Sequence, residues 1–249
     1  MDAPLKSARG GAIDYSFAAG VEGAGNSDWL VLLGHGVTGN KDRPVVAGTA
    51  AALAAAGFDT LRFSFAGNGA SDGEFTESTI TREVADLDAI IGQVSVRYPK
   101  IAYVGHSMGA AVGVLQASKD RRIQALVSLA GMVDTRRFAE TEFGAETSDA
   151  GLMWEDEDCP LSSAFMTDLC QTIVTVAPAA KLIRVPWLLL HGTADDVVVP
   201  EDTRSIAALK GEAVDVQFIE GADHSFSEPN HKAAMTDAVV KWLKHRASA

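Results

Sequence analysis

The sequence predicts an α/β fold: a mostly parallel central sheet with helices on both faces. Three observations carry that prediction. From Trp29 onward, short and nearly continuous apolar runs alternate with longer amphipathic stretches, the pattern of strands buried on both sides and joined by helices. No internal repeat or low-complexity linker interrupts the rhythm. The 249 residues are 47% hydrophobic and 22% charged, which supplies apolar material for a core layer on each face.

Taken in order, Ile13–Ala18 reads as an antiparallel edge strand. Buried strands follow at Trp29–Leu33, Thr60–Phe65, Ile101–Gly105, Ala125–Leu129, Trp187–Leu190 and Val214–Ile219. Between them, Val45–Ala56 is an alanine-rich helix stopped by Gly57. Thr81–Tyr98 places Val84, Leu87, Ile91 and Val94 on one helical stripe and ends before Pro99. Met108–Lys119, Thr203–Leu209 and Lys232–Lys244 complete the helices. The rhythm breaks only at about 134–181, an acidic stretch followed by an apolar helix-like run, Leu169–Ala177. A loop of that length needs its own structure. The expectation is one domain over 1–249 with this segment folded as a small cap over the carboxyl edge of the sheet.

Charge narrows the partners. Thirty-three acidic residues against 21 basic ones give −12, which disfavours nucleic acid and anionic membrane surfaces, since both need clustered Lys and Arg. Cys159 and Cys170 show no metal-ligand pattern. The first residues lack the apolar core of a signal peptide, and no run is long enough to cross a bilayer. A reduced, cytoplasmic protein acting on a small molecule is the expectation; the sequence is silent on its oligomeric state.

The chemistry is written in one pentapeptide. Gly105-His106-Ser107-Met108-Gly109 follows an apolar strand and opens a helix, the context in which G-x-S-x-G acts as a nucleophile elbow. A sharp turn lifts the serine oxygen clear of the sheet, and glycines two residues to either side let strand and helix pass closely. A serine hydroxyl needs a base, and the base needs an acid to fix its tautomer. In the α/β-hydrolase fold the chain order is serine, acid, histidine. Asp195 lies four residues beyond the strand-end His191, and His224 lies in the loop before the last helix. Asp196 and Asp223 compete for the acid; spacing from the strand end favours Asp195, and Asp223 is adjacent to the base. His106 and His191 read as packed structural residues, His231 and His245 as surface.

Gly34-His35-Gly36-Val37-Thr38-Gly39-Asn40 follows the first central strand and is the candidate oxyanion loop. The backbone N–H groups of Val37 and Met108 are the expected donors. Phe65–Gly73 reads as a structural turn, with Ser71 no nucleophile. No cofactor or metal is expected, because no His, Cys or Asp cluster has ligand spacing.

These segments resemble the small-cap α/β-hydrolases that include the cinnamoyl and feruloyl esterases. The resemblance rests on His35–Asn40, the Phe65–Phe75 turn, the elbow, His191–Asp195 and Gly221–Phe226, and it spans Leu30 to the last helix. It implies a triad of Ser107, Asp195 and His224 with Val37 and Met108 as oxyanion donors. The expected activity is that of a serine esterase working through an acyl-enzyme. Thioester, lysophospholipid and peptide hydrolysis use the same residues, and an idle receptor or scaffold is the reading from another class. The segment at 134–181 departs from the feruloyl pattern in its acidity: nine acidic residues against Arg136 and Arg137 between Asp134 and Asp158. If it covers the entrance, its field favours small neutral esters over anionic ones.

Overall fold

The computed structural model describes residues 4–22, 26 and 28–248. In chain order its strands are β1 (Tyr15–Ala18), β2 (Trp29–Gly34), β3 (Asp59–Phe63), β4 (Lys100–His106), β5 (Ile123–Leu129), β6 (Trp187–Gly192) and β7 (Asp215–Ile219). Its helices are α1 (Pro44–Ala55), α2 (Ile80–Val94), α3 (Met108–Ala117), α4 (Thr135–Phe143), α5 (Ser163–Thr167), α6 (Ala177–Ala180), α7 (Glu201–Lys210) and α8 (Pro229–Ala247). The strands form one sheet in the order β1-β3-β2-β4-β5-β6-β7. All neighbours are parallel except β1, which runs antiparallel to β3 at the edge with Tyr15 opposite Phe63.

Alternation along each strand sorts the core into two layers. On β2, Leu30 and Leu32 face the layer covered by α2, α3 and the 134–181 segment. Trp29, Val31 and Leu33 face the layer under α1 and α8. Helix α8 closes that second layer with Met235, Val239 and Leu243, spaced four apart and fully buried. Each such side chain contributes about 2 kcal/mol of burial.

Among the boundaries that differ from the sequence expectation, three have a clear local reason. β3 ends at Phe63, because the Phe65 N–H leaves the sheet to donate to His35 Nε2 at 3.0 Å. α2 ends at Val94, and 95–98 continue as turns with Tyr98 N–H bonded to the Val94 carbonyl. α8 begins at Pro229, whose ring suits a first helical position.

The 134–181 segment is not one loop with a helix at its end. α4, absent from the expectation, is capped by the Asp134 carboxylate accepting from Arg137 N–H. The expected helical run Leu169–Ala177 holds only as far as Ile173, and not as a regular α-helix. α5 instead widens into a π-type turn over Asp168–Ile173 and reverses at Val174, whose φ is 63°. The cause is competition for carbonyls. The Arg136 guanidinium takes the Cys170 carbonyl, which a regular helix would offer to Val174 N–H, and that N–H bonds to Leu169 instead. The segment is tied to the body where Asp168 accepts from Thr81 and where Asp202 pairs with Arg137.

Candidate active site

Ser107 sits between β4 and α3 with φ 56° and ψ −120°, a conformation an L-residue holds only when its surroundings impose it. They do so here from both sides. The Ser107 N–H donates to the Leu129 carbonyl at 2.9 Å, and the Ser107 carbonyl accepts from Ala110 and Met132. The helix also passes too close to the strand for side chains. A β-carbon on Gly105 would lie 2.3 Å from the Gly109 carbonyl oxygen, and one on Gly109 would lie 2.4 Å from that of His35.

The serine opens into a cavity of about 640 Å³, walled by the loop after β2, the His224 loop, the starts of α1 and α8, and Trp154. His224 is fixed from its far side: its Nδ1–H donates to Asp195 Oδ2 at 2.8 Å, leaving the Nε2 lone pair free. Asp195 is buried, and its Oδ1 accepts from the N–H groups of Val197 and Val198. Burial alone would raise this carboxyl. Hydrogen bonds from His191 and His224 outweigh it and hold the group well below the usual carboxylate range. The loops carrying Asp195 and His224 are stitched together, with Thr193 N–H on the Ile219 carbonyl and Ala194 N–H on that of Ala222.

The contact from His191 is one the sequence did not reveal. His191 is fully buried, its Nε2 lies 2.7 Å from the Val198 carbonyl and 3.1 Å from Asp195 Oδ2, and its Nδ1 meets the Thr203 hydroxyl. A carbonyl can only accept, so Nε2 carries the proton and shares it with Asp195. The spacing His191 to Asp195 was visible, but the fold-back through Val198 that faces them was not. The neighbouring candidates fall outside this arrangement. Asp196 is exposed. Asp223 accepts from Ser227 N–H in a turn. His231 is partly buried on α8, and His245 is exposed. Ser71 bridges the Ser64 carbonyl and the Asp14 N–H, as a structural turn would.

The loop after β2 is held in one orientation by His35. The Phe65 N–H must donate, so His35 Nε2 accepts and Nδ1–H donates to the Gly36 carbonyl at 2.8 Å. That carbonyl also accepts from Gly39 N–H. In a trans peptide the carbonyl and the next N–H point in opposite directions. Drawing the Gly36 oxygen inward therefore turns the Val37 N–H outward, and Val37 lines the cavity. Met108 is the first residue of α3, where a backbone N–H has no helical partner. Neither N–H is engaged by a backbone group among the described residues. The arrangement can present a serine oxygen to a carbonyl carbon, two N–H donors to the carbonyl oxygen, and a base to the serine hydroxyl.

The acidic run does not set the charge of the walls, contrary to the sequence expectation. Glu155–Asp158 are exposed, and of that neighbourhood only Trp154 reaches the cavity, packed at a tilt against Phe143 with ring centroids 4.9 Å apart. The ionised residues that line it are Arg43 and Lys232. Both cysteines are free thiols. Among the described residues, no helix is long and apolar enough to cross a membrane.

Residues 73–249 match the prolyl oligopeptidase family. An uncharacterized protein of Mycobacterium tuberculosis, Rv2307c, is 28% identical over 225 residues, covering 90% of this chain and 73% of its own. Among solved structures, Est1E from Butyrivibrio proteoclasticus with ferulic acid bound has a TM-score of 0.84 at 21% identity, covering 99% of this chain and 100% of that one. A monoacylglycerol lipase of Paleococcus ferrophilus has a TM-score of 0.75 at 20% identity, covering 94% and 98%. At such identities the structural likeness speaks for the fold, and it agrees with the resemblance read from the motifs. The chain belongs to the prolyl oligopeptidase family and has the α/β-hydrolase fold.

Proposed function

We propose that the protein is a serine esterase that cleaves carboxylic esters of small molecules through an acyl-enzyme. The observation that carries this reading is the shared cavity: Ser107, on its positive-φ turn, and His224, braced by the buried Asp195, face one space. Ser107 Oγ attacks the ester carbonyl while His224 Nε2 takes its proton, so the Oγ–acyl bond forms as negative charge moves to the carbonyl oxygen. The N–H groups of Val37 and Met108 receive that charge. Collapse breaks the acyl–alkoxide bond, and His224 returns the proton to the departing alcohol. Water then repeats the sequence on the acyl-enzyme and releases the acid. His224 and Asp195 supply the base themselves, so the reading needs no metal or cofactor.

A fluorophosphonate probe tests it. Labelling of wild type at Ser107, lost in Ser107→Ala, together with turnover of short p-nitrophenyl esters, is the expected result. An unreactive protein would put the idle receptor or scaffold ahead of the esterase. The family match favours one second reading, hydrolysis of peptide bonds by the same residues. Peptide p-nitroanilides assayed beside the esters separate the two.

A further inference from the structure

The cavity over Ser107 is charged in the opposite sense to the protein around it. The chain carries −12 overall, yet among the described residues no carboxylate lines this space, and Arg43 and Lys232 do. They arrive from distant parts of the chain. Arg43 caps α1, and its Nη2–H donates to the Thr38 carbonyl at 2.9 Å, which pins the guanidinium to the loop that turns the Val37 N–H outward. Lys232 stands in the first turn of α8, soon after the His224 loop, and its stem runs along α1, with Cδ 4.0 Å from where a Gly48 β-carbon would lie. Neither cation is in an ion pair with a described residue. A carboxylate between them would therefore gain two partners without breaking an existing pair.

The backbone adds to the same field. α1 and α8 both begin at this cavity, and a helix N-terminus carries partial positive charge and unpaired N–H groups. The exposed acidic run opposes it, but from solvent, where charges are screened within about 10 Å at 0.1 M salt. Arg43 is itself exposed and Lys232 half-buried, so their advantage is distance: they line the cavity and the acidic run does not, and attraction is strongest at contact.

We propose that Arg43 and Lys232 form an anion subsite beside Ser107, and that the preferred substrates are esters carrying a free carboxylate. This rests on the esterase reading above. The sequence alone pointed the other way, to neutral esters, because it displays the acidic run and hides the convergence of residues 189 positions apart (232 − 43).

The test compares two p-nitrophenyl esters of similar length, the monoester of glutaric acid, which bears one carboxylate, and the ester of hexanoic acid, which bears none. The readout is the ratio of their kcat/KM values, in which a general effect of substitution on the site cancels. In wild type the ratio should favour the glutarate by about tenfold and fall as salt rises. Lys232→Gln and Arg43→Gln should each reduce it about fivefold or more, chiefly through the KM of the charged ester, while Lys232→Arg keeps it. A wild-type ratio below one, or a ratio that neither glutamine variant moves, overturns the subsite while leaving the esterase standing. Turnover of neither ester, with Ser107 unlabelled by fluorophosphonate, overturns both.

Discussion

His106 donates its Nε2–H to the backbone carbonyl of His224 at 2.9 Å, and the two rings lie 4.8 Å apart. The residue beside Ser107 thus holds the main chain of His224, joining the turn after β4 to the loop after β7. Burial, and the neighbouring His224, push the His106 imidazole down to about 3, so it serves as a neutral donor throughout the working range. His106→Leu removes that donor and should lower kcat about tenfold, because a base displaced by a fraction of an ångström transfers its proton less well. His106→Gln can still donate and should recover most of the loss. Equal kcat in both variants would show that the ring acts by packing alone.

Ser107→Ala should abolish ester turnover to within a residue of oxyanion and binding effects, a loss of several orders of magnitude. The fold should survive, since the bonds that impose φ 56° are made by the Ser107 backbone and not by its hydroxyl. Circular dichroism and a thermal melt, run beside the p-nitrophenyl assay, check both halves.

Asp195→Asn should lose most activity and Asp196→Asn little, because only Asp195 is buried against His224. The asparagine also sets its amide against the proton that His191 offers. His191→Gln should therefore lower kcat through Asp195 without touching substrate, and leave KM near wild type. A reversed ranking of the two aspartate variants would move the acid to the exposed position.

Much of this arrangement was legible because the sequence signals are local. An apolar strand, G-x-S-x-G and a helix occupy consecutive residues, so the turn at Ser107 could be read from one stretch of chain. Asp195 and His224 were legible at one remove, since loops at the carboxyl ends of parallel strands meet at one edge of the sheet. What escaped were effects decided between distant segments. The run Leu169–Ala177 has helical composition, but Arg136 claims the Cys170 carbonyl. His191 and Asp195 share a strand end, but their contact depends on the path through Val198. The acidic run is conspicuous in the sequence, yet it turns into solvent, and one tryptophan beside it faces the cavity.

Stability should fall in mild acid, and His35 should account for a definable share of the fall. His35 is fully buried, and burial lowers its imidazole to about 4 from the ordinary 6.5. The hydrogen bonds say why the neutral form is kept: Nε2 accepts from the Phe65 N–H, and a proton there would meet that donor head-on. Between pH 6.5 and 4 the unfolded chain binds a proton at this residue and the folded chain does not. Stability therefore rises with pH across that window and is lost as pH falls through it. Integrated from pH 8 to pH 5, the contribution is about 2 kcal/mol. His35→Gln should be less stable than wild type at pH 8, where the imidazole bonds are intact, but its stability should fall less by pH 5. Urea denaturation at the two pH values measures both quantities. A variant that loses as much stability as wild type would mean that the folded chain protonates His35 as readily as the unfolded one. Protonation would then cost the Phe65 N–H its acceptor, while the Nδ1–H bond to the Gly36 carbonyl would persist.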